Sequence, residues 1–299
     1  MSLSGTTVAG VAAVSELIGQ DLEPTTRSWT VTDCLLYAVG VGAGSVNPTA
    51  ELNLTTENSE QVTLQTVPTF GIVLSGGGND IFEAMGARGE DVLLMWEHIA
   101  LIAPIPVQGM VRTSRQITDV TPHRRGRVVE MVAEARLDGC QAPLYRTTSR
   151  TLVRDRKDAQ PDSATPPPAG SDTSKSHDKP TAALKFRIPP NQGLLYRLSA
   201  GRNPLHSDPA VSRRAGFDVP ILHGRCTLGF AARLLITQAC GGDAAALTSV
   251  GARMTAPVWP GDELTLHIWE GAVGKGHFRV RRRRDNAVVL DEGVYECKI

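Results

Sequence analysis

The sequence predicts an α+β protein built from two halves. Asp155 to Lys179, DRKDAQPDSATPPPAGSDTSKSHDK, is rich in Pro, Ser, Asp and Lys and nearly devoid of large apolar side chains. Such a segment cannot bury enough surface to offset chain entropy, and it reads as a flexible linker. On either side of it, helical patterns precede a run of strands. That order suggests a sheet wrapped around a helix whose apolar stripe faces the concave side. The length of 299 residues suits two domains of ordinary size. The expected division is an N-terminal domain over 1–154, a linker over 155–180 and a C-terminal domain over 181–299.

The second half is the more regular. Ala183 to Ile188 reads as a strand, and Asn191 to Ser199 as a short helix entered after Pro189-Pro190. A longer helix is expected from about Arg225 to Gln238, because Leu228, Ala231, Ala232, Leu235 and Ala239 recur at helical spacing. Gly241-Gly242 would end it. Strands follow at Leu247–Ala256, Glu263–Glu270, His277–Arg284 and Ala287–Cys297, with a turn at Pro260-Gly261-Asp262.

In the first half, Thr32 to Val41 reads as a helix capped by Thr32 or Asp33. Phe70 to Met85 reads as a helix broken by Gly76-Gly77-Gly78. Strands are expected near Val92–Ile99, Val111–Val120, Arg127–Ala135 and Leu144–Val153. No repeat between the halves is defensible by identity; the matching order of elements alone suggests duplication and divergence.

Composition narrows the function. With 31 basic and 31 acidic residues the net charge is zero, which argues against a non-specific nucleic-acid binder. The five cysteines, Cys34, Cys140, Cys226, Cys240 and Cys297, are scattered without a CxxC pair. They read as reduced thiols, and no metal-ligand spacing joins them to the histidines. The first twenty residues lack a basic leader region, and no apolar run spans a bilayer. A soluble, cytoplasmic protein is expected. Cys297-Lys298-Ile299 resembles a degenerate peroxisomal address, with a chance strand end as the other reading.

The chemistry concentrates in Tyr196 to Arg233, YRLSAGRNPLHSDPAVSRRAGFDVPILHGRCTLGFAAR. Tyr196-Arg197-Leu198-Ser199, Asn203-Pro204-Leu205-His206, Asp208-Pro209, Ala215-Gly216-Phe217 and Pro220-Ile221-Leu222-His223-Gly224 together resemble the (R)-specific, or type-2, enoyl-CoA hydratases of the MaoC-like group. More loosely, Leu36 to Gly44 and Leu64 to Phe70 resemble the N-terminal half of the two-domain members. The resemblance implies a double hot-dog fold in which the C-terminal half keeps the catalytic residues and the N-terminal half helps hold the acyl chain. It implies reversible syn addition of water to a trans-2-enoyl-CoA, giving a (3R)-3-hydroxyacyl-CoA, with no cofactor or metal. The expected partner is the acyl-CoA substrate; neither nucleic acid nor membrane is expected, and a monomer or a homodimer of such units stays open.

The reaction explains the residues. Water must be deprotonated and a proton delivered to the α-carbon. Negative charge building on the thioester oxygen needs a fixed donor, which a helix N-terminus supplies. The resemblance makes His206 the catalytic histidine, Asn203 an orienting residue and Gly224 the backbone donor. Gly201, Arg202, Ser207 and Asp208 would line the substrate, with His223, which also positions the turn before the helix. Arg213 and Arg214, or the run Arg281–Arg284, would meet coenzyme A phosphates; the run reads equally as a solvated strand end.

One departure stands out. The family carries an aspartate five residues before the histidine, and here that position is Gly201. The alternatives are therefore a hydratase with a relocated acid, an isomerase or other lyase run by His206, a non-catalytic acyl-CoA-binding partner subunit, and, last, a thioesterase. His98 beside Glu97 is a weak candidate for a second site, and Ser75-Gly76-Gly77-Gly78 lacks the Lys-Ser/Thr of a phosphate loop.

Overall fold

The computed structural model describes residues 18–76, 78–155 and 179–298. Residues 1–17, most of the expected linker and Ile299 lie outside the described residues.

Five strands form the first half: β1 (Asp21–Trp29), β2 (Val92–Leu101), β3 (Gly109–His123), β4 (Gly126–Leu137) and β5 (Tyr145–Arg154). Five form the second: β6 (Ala182–Arg187), β7 (Leu247–Met254), β8 (Glu263–Glu270), β9 (Lys275–Arg282) and β10 (Val288–Cys297). All ten join one sheet in the order β1-β3-β4-β5-β2-β7-β10-β9-β8-β6, with every neighbouring pair antiparallel. Counted within its own half, each follows the order first, third, fourth, fifth, second. This is the double hot-dog expected from the sequence, its two sheets fused where β2 pairs with β7.

The helices are α1 (Val31–Gly40), α2 (Leu52–Thr55), α3 (Phe70–Leu74), α4 (Asn79–Ala84), α5 (Gln192–Tyr196), α6 (Pro209–Arg214) and α7 (Gly224–Ala239). The cap of α1 is Thr30, not Thr32; Asp33 completes the capping box by accepting from the Thr30 N–H at 2.8 Å. The α7 helix buries Leu228, Phe230, Ala231, Ala232, Leu235 and Ile236. It ends as expected, with Gly241 at φ 61° and the Gly242 N–H returning to the Ile236 carbonyl at 2.9 Å.

The sequence reading missed β1. Its Pro24 argues against a strand, but β1 is a sheet edge and its register shifts between Leu22 and Thr25, where a missing N–H is tolerated. The cysteine reading is also corrected: Cys240 and Cys297 form a disulfide, their Cα atoms 6.1 Å apart, while Cys34, Cys140 and Cys226 are free. A separation of 57 residues hid a pair that the fold unites, one at the C-cap of α7 and one at the end of β10. Among the described residues no helix is long and apolar enough to cross a membrane.

The two halves meet around a pair of tyrosines. Tyr37 of α1 and Tyr196 of α5 are buried with ring centroids 6.0 Å apart. Each follows Leu-Leu and precedes a glycine by five residues, Gly42 or Gly201, so the structure exposes a repeat too short to defend from sequence alone. Glycine also lets α7 lie close against the first half. A Cβ on Gly229 would come within 2.4 Å of Val41 Cγ1 and 3.0 Å of its Cβ. Gly229→Val is expected to destabilise the protein by about 1–3 kcal/mol through overpacking, read as a lower midpoint in urea unfolding.

Candidate active site

The loop from Arg197 to His223 carries the motif and ends at the N-terminus of α7. His206 closes a 3-10 turn, Pro204–His206, and its Nδ1 lies 2.9 Å from the Ile221 carbonyl. A carbonyl only accepts, so Nδ1 carries the proton and Nε2 is left with the lone pair. Burial pushes the His206 pKa down to about 4, with the Ile221 hydrogen bond opposing. His206 is therefore a neutral imidazole at physiological pH.

His223 is the N-cap residue of α7. Its Nε2–H donates to the Gly201 carbonyl at 3.2 Å, while Nδ1 is buried with no hydrogen-bond partner. The His206 and His223 rings stack, centroids 3.7 Å apart and planes 29° apart. Burial first, and then the neighbouring His206, hold the His223 pKa well below the usual histidine range. The pair thus favours two neutral rings.

Gly224 is the first residue of α7, and His223 supplies no side-chain cap. The first amides of the helix are among the groups with no intrahelical acceptor, and they carry the positive end of the dipole. A Cβ at Gly224 would come 3.0 Å from Met254 Cγ and 4.0 Å from Leu94 Cδ2. Glycine keeps this mouth narrow without a side chain filling it.

The remaining expected residues divide. The Asn203 Oδ1 accepts from the Leu205 N–H at 3.0 Å, and its Nδ2 donates to the Gly89 carbonyl at 2.9 Å. Both ends of the amide are engaged, so Asn203 orients the loop and docks it on the first half. Asp208 accepts from the Ala210 N–H at 2.7 Å as the cap of α6. Gly201 and Arg202 are exposed on the loop, and Ser207 is half-buried behind His206. Arg213 and Arg214 sit exposed in the last turn of α6, with the Arg214 Nε 3.4 Å from the Glu90 carboxylate. Arg282, Arg283 and Arg284 pair with Asp285, Glu263 and Asp262, and Arg281 bonds the Asn286 carbonyl at 3.2 Å. Three of the four arginines are thus paired with carboxylates where they stand.

His98 does not build a second site. Its Nε2 lies 2.9 Å from the Ser249 Oγ, stapling β2 to β7. At the counterpart of His223, the first half has Thr69, which accepts from the Tyr37 hydroxyl at 3.0 Å, followed by Phe70 in place of Gly224. A cavity of about 330 Å³ nearby is walled by Leu64, Thr66, Pro68, Leu101, Ile105 and Val107, without an acid or base. Among the described residues, no group of three or more His, Cys, Asp or Glu side chains could hold a metal.

Sequence reasoning missed one feature. Glu97 of β2, 1% exposed, bonds Arg225 of α7 at 2.6 Å. Nothing in the local pattern joins two residues 128 positions apart.

The fold is a double hot-dog, and the loop ahead of α7 carries the hydratase-type motif. Residues 170–290 match the MaoC like domain, and residues 28–155 match the MFE-2 hydratase 2 N-terminal domain. The chain is 36% identical over 287 residues to 3-hydroxyacyl-thioester dehydratase Y of Mycobacterium tuberculosis, covering 93% of this chain and 96% of that protein. It is 34% identical to Enoyl-CoA hydratase ChsH3 of the same organism, over 91% of this chain and 94% of that one. The crystal structure of a MaoC-like dehydratase from Phytophthora capsici shares the fold, with a TM-score of 0.77 at 23% identity, over 95% of this chain and 97% of that chain. The chain belongs to the MaoC-like hydratase/dehydratase family.

Asn203→Ala removes the loop cap and its link to the first half. It is expected to cost about 1–2 kcal/mol of stability and to lower kcat more than it raises KM, read by urea unfolding beside steady-state kinetics.

Proposed function

We propose that this chain is an (R)-specific 2-enoyl-CoA hydratase, acting in reverse as a 3-hydroxyacyl-CoA dehydratase. The carrying observation is His206, its Nδ1 held by the Ile221 carbonyl, in a loop that runs straight into the uncapped N-terminus of α7. Water would give its proton to the His206 Nε2 while its oxygen attacks the β-carbon. The π electrons move to the thioester oxygen, where the Gly224 N–H would receive the charge. The imidazolium Nε2–H then returns a proton to the α-carbon on the same face, so one histidine completes a syn addition and the missing carboxylate at position 201 is bypassed.

The first half is assigned the holding of the acyl chain. The supporting features are Leu94, near the Gly224 mouth, and Leu93, packed against the cluster of Leu205, Val211 and Ile221. Both come from β2. A second reading, an acyl-CoA-binding partner without turnover, draws on Gly201 alone.

The test is loss of absorbance of the conjugated thioester with crotonyl-CoA and a longer 2-enoyl-CoA. Hydration should fall by roughly 10²–10⁴ in His206→Ala; equal rates in the two proteins would overturn the assignment. An inert parent revived by Gly201→Asp would instead favour the binding reading.

The pH profile follows from the same group. A base must be unprotonated, and the His206 pKa lies near about 4. The kcat/KM should therefore rise through about pH 4 and stay level from about pH 5 to pH 8. In Gly201→Asp the added carboxylate favours the imidazolium, so the rising limb should move to higher pH.

A further inference from the structure

The first turn of α7 holds a charge where electrostatics argue against one. Arg225 is the second residue of the helix, and a cation at a helix N-terminus is disfavoured by the positive end of the helix dipole. Its partner Glu97 is sealed, the carboxylate side chain 2% exposed. Burial raises the Glu97 carboxyl pKa above the usual range, with Arg225 opposing. A buried ion pair of this kind is commonly no more stabilising than apolar side chains of the same size. Stability does not explain why both residues are present.

Geometry supplies a reason. Helical side chains lean toward the N-terminus. A residue in the first turn therefore leans toward the end of the helix at which Gly224 begins it. The Arg225 Nε donates to the Glu97 Oε2, which fixes the side chain, while 26% of that side chain is exposed. Its field also reaches the loop: it is among the smaller contributions to the lowered His223 pKa, after burial, His206 and the Gly201 carbonyl, which opposes them. Position 201 in that loop is glycine and carries no carboxylate.

We propose that Arg225 is a second electrophile of this site: the free guanidinium N–H groups, aimed by Glu97, bind the thioester oxygen beside the Gly224 amide. The assignment rests on the hydratase reading above. As water adds to the β-carbon and the electron pair moves to oxygen, the fixed cation stabilises the enolate; no proton leaves Arg225. Glu97 is a positioning residue supplied by the first half of the chain, which gives that half a part in the chemistry.

Removing Arg225 alone would strand a buried carboxylate, so the test uses Arg225→Met/Glu97→Met, which replaces the pair with apolar side chains. With crotonyl-CoA, kcat is expected to fall about 10²–10³-fold, as for loss of an oxyanion donor, with KM changed little and the unfolding midpoint kept or raised. Glu97→Gln, whose amide oxygen still accepts the Nε–H, should lose only about tenfold, at unchanged pH dependence of His206. Millimolar guanidinium should restore part of the rate to Arg225→Ala and none to His206→Ala. A double variant with parental kcat and KM overturns the proposal and leaves the hydratase reading standing. So does a loss of rate that tracks loss of fold without guanidinium rescue. A parent inert toward both enoyl-CoA and 3-hydroxyacyl-CoA overturns the hydratase reading and the proposal together.

Discussion

The pairing of β2 with β7 is the constraint on which the site depends. Trp96 to Ala100 run antiparallel to Ser249 to Arg253, and this ladder turns two five-stranded sheets into one. It also fixes which side chains from each half share the space in front of α7. A one-residue slip would send every side chain of β2 to the opposite face. Glu97 would then leave Arg225, and His98 would enter the core in its place. The fit at Gly251 opposes such a slip, since a Cβ there would meet the His98 ring at 2.7 Å. Register, close packing and the Glu97–Arg225 bond specify the same arrangement.

Around that frame the site is tuned toward neutrality. Two stacked imidazoles, each donating one N–H to a carbonyl, leave one lone pair in the loop and one buried. The Gly201 carbonyl is one of those acceptors. Position 201, a glycine, therefore orients a histidine through its backbone.

The sequence revealed much of this because the informative residues are contiguous. His206, Asn203, His223 and Gly224 fall within 22 positions, and β8 after α7 alternates cleanly between buried and more exposed residues. The features it hid are those that depend on distance along the chain. Glu97 meets Arg225 across 128 positions, and Cys240 meets Cys297 across 57. The strand β1 was hidden by Pro24, whose cost vanishes at an edge. Asp208 is expected at the substrate because the motif contains it, and the fold also makes it the cap of α6. Within a motif, sequence cannot separate residues that react from residues that hold the loop.

The lowered basicity of His206 bears on where the proposed reaction draws its rate enhancement. An imidazole with a pKa near about 4 is a weak base, and proton transfer from water to a weak base contributes little driving force. A carboxylate beside it would raise that basicity; Gly201 provides none. A weak base can still succeed if the electrons it helps release are strongly drawn away, because a better-stabilised enolate demands less push from the base. The residues present at the electrophilic end fit that balance: an uncapped helix N-terminus, a glycine that leaves its mouth open, and a cation anchored by a sealed carboxylate. On the proposed reaction, low basic strength in the loop and high electrophilic strength at α7 are then two parts of one balance.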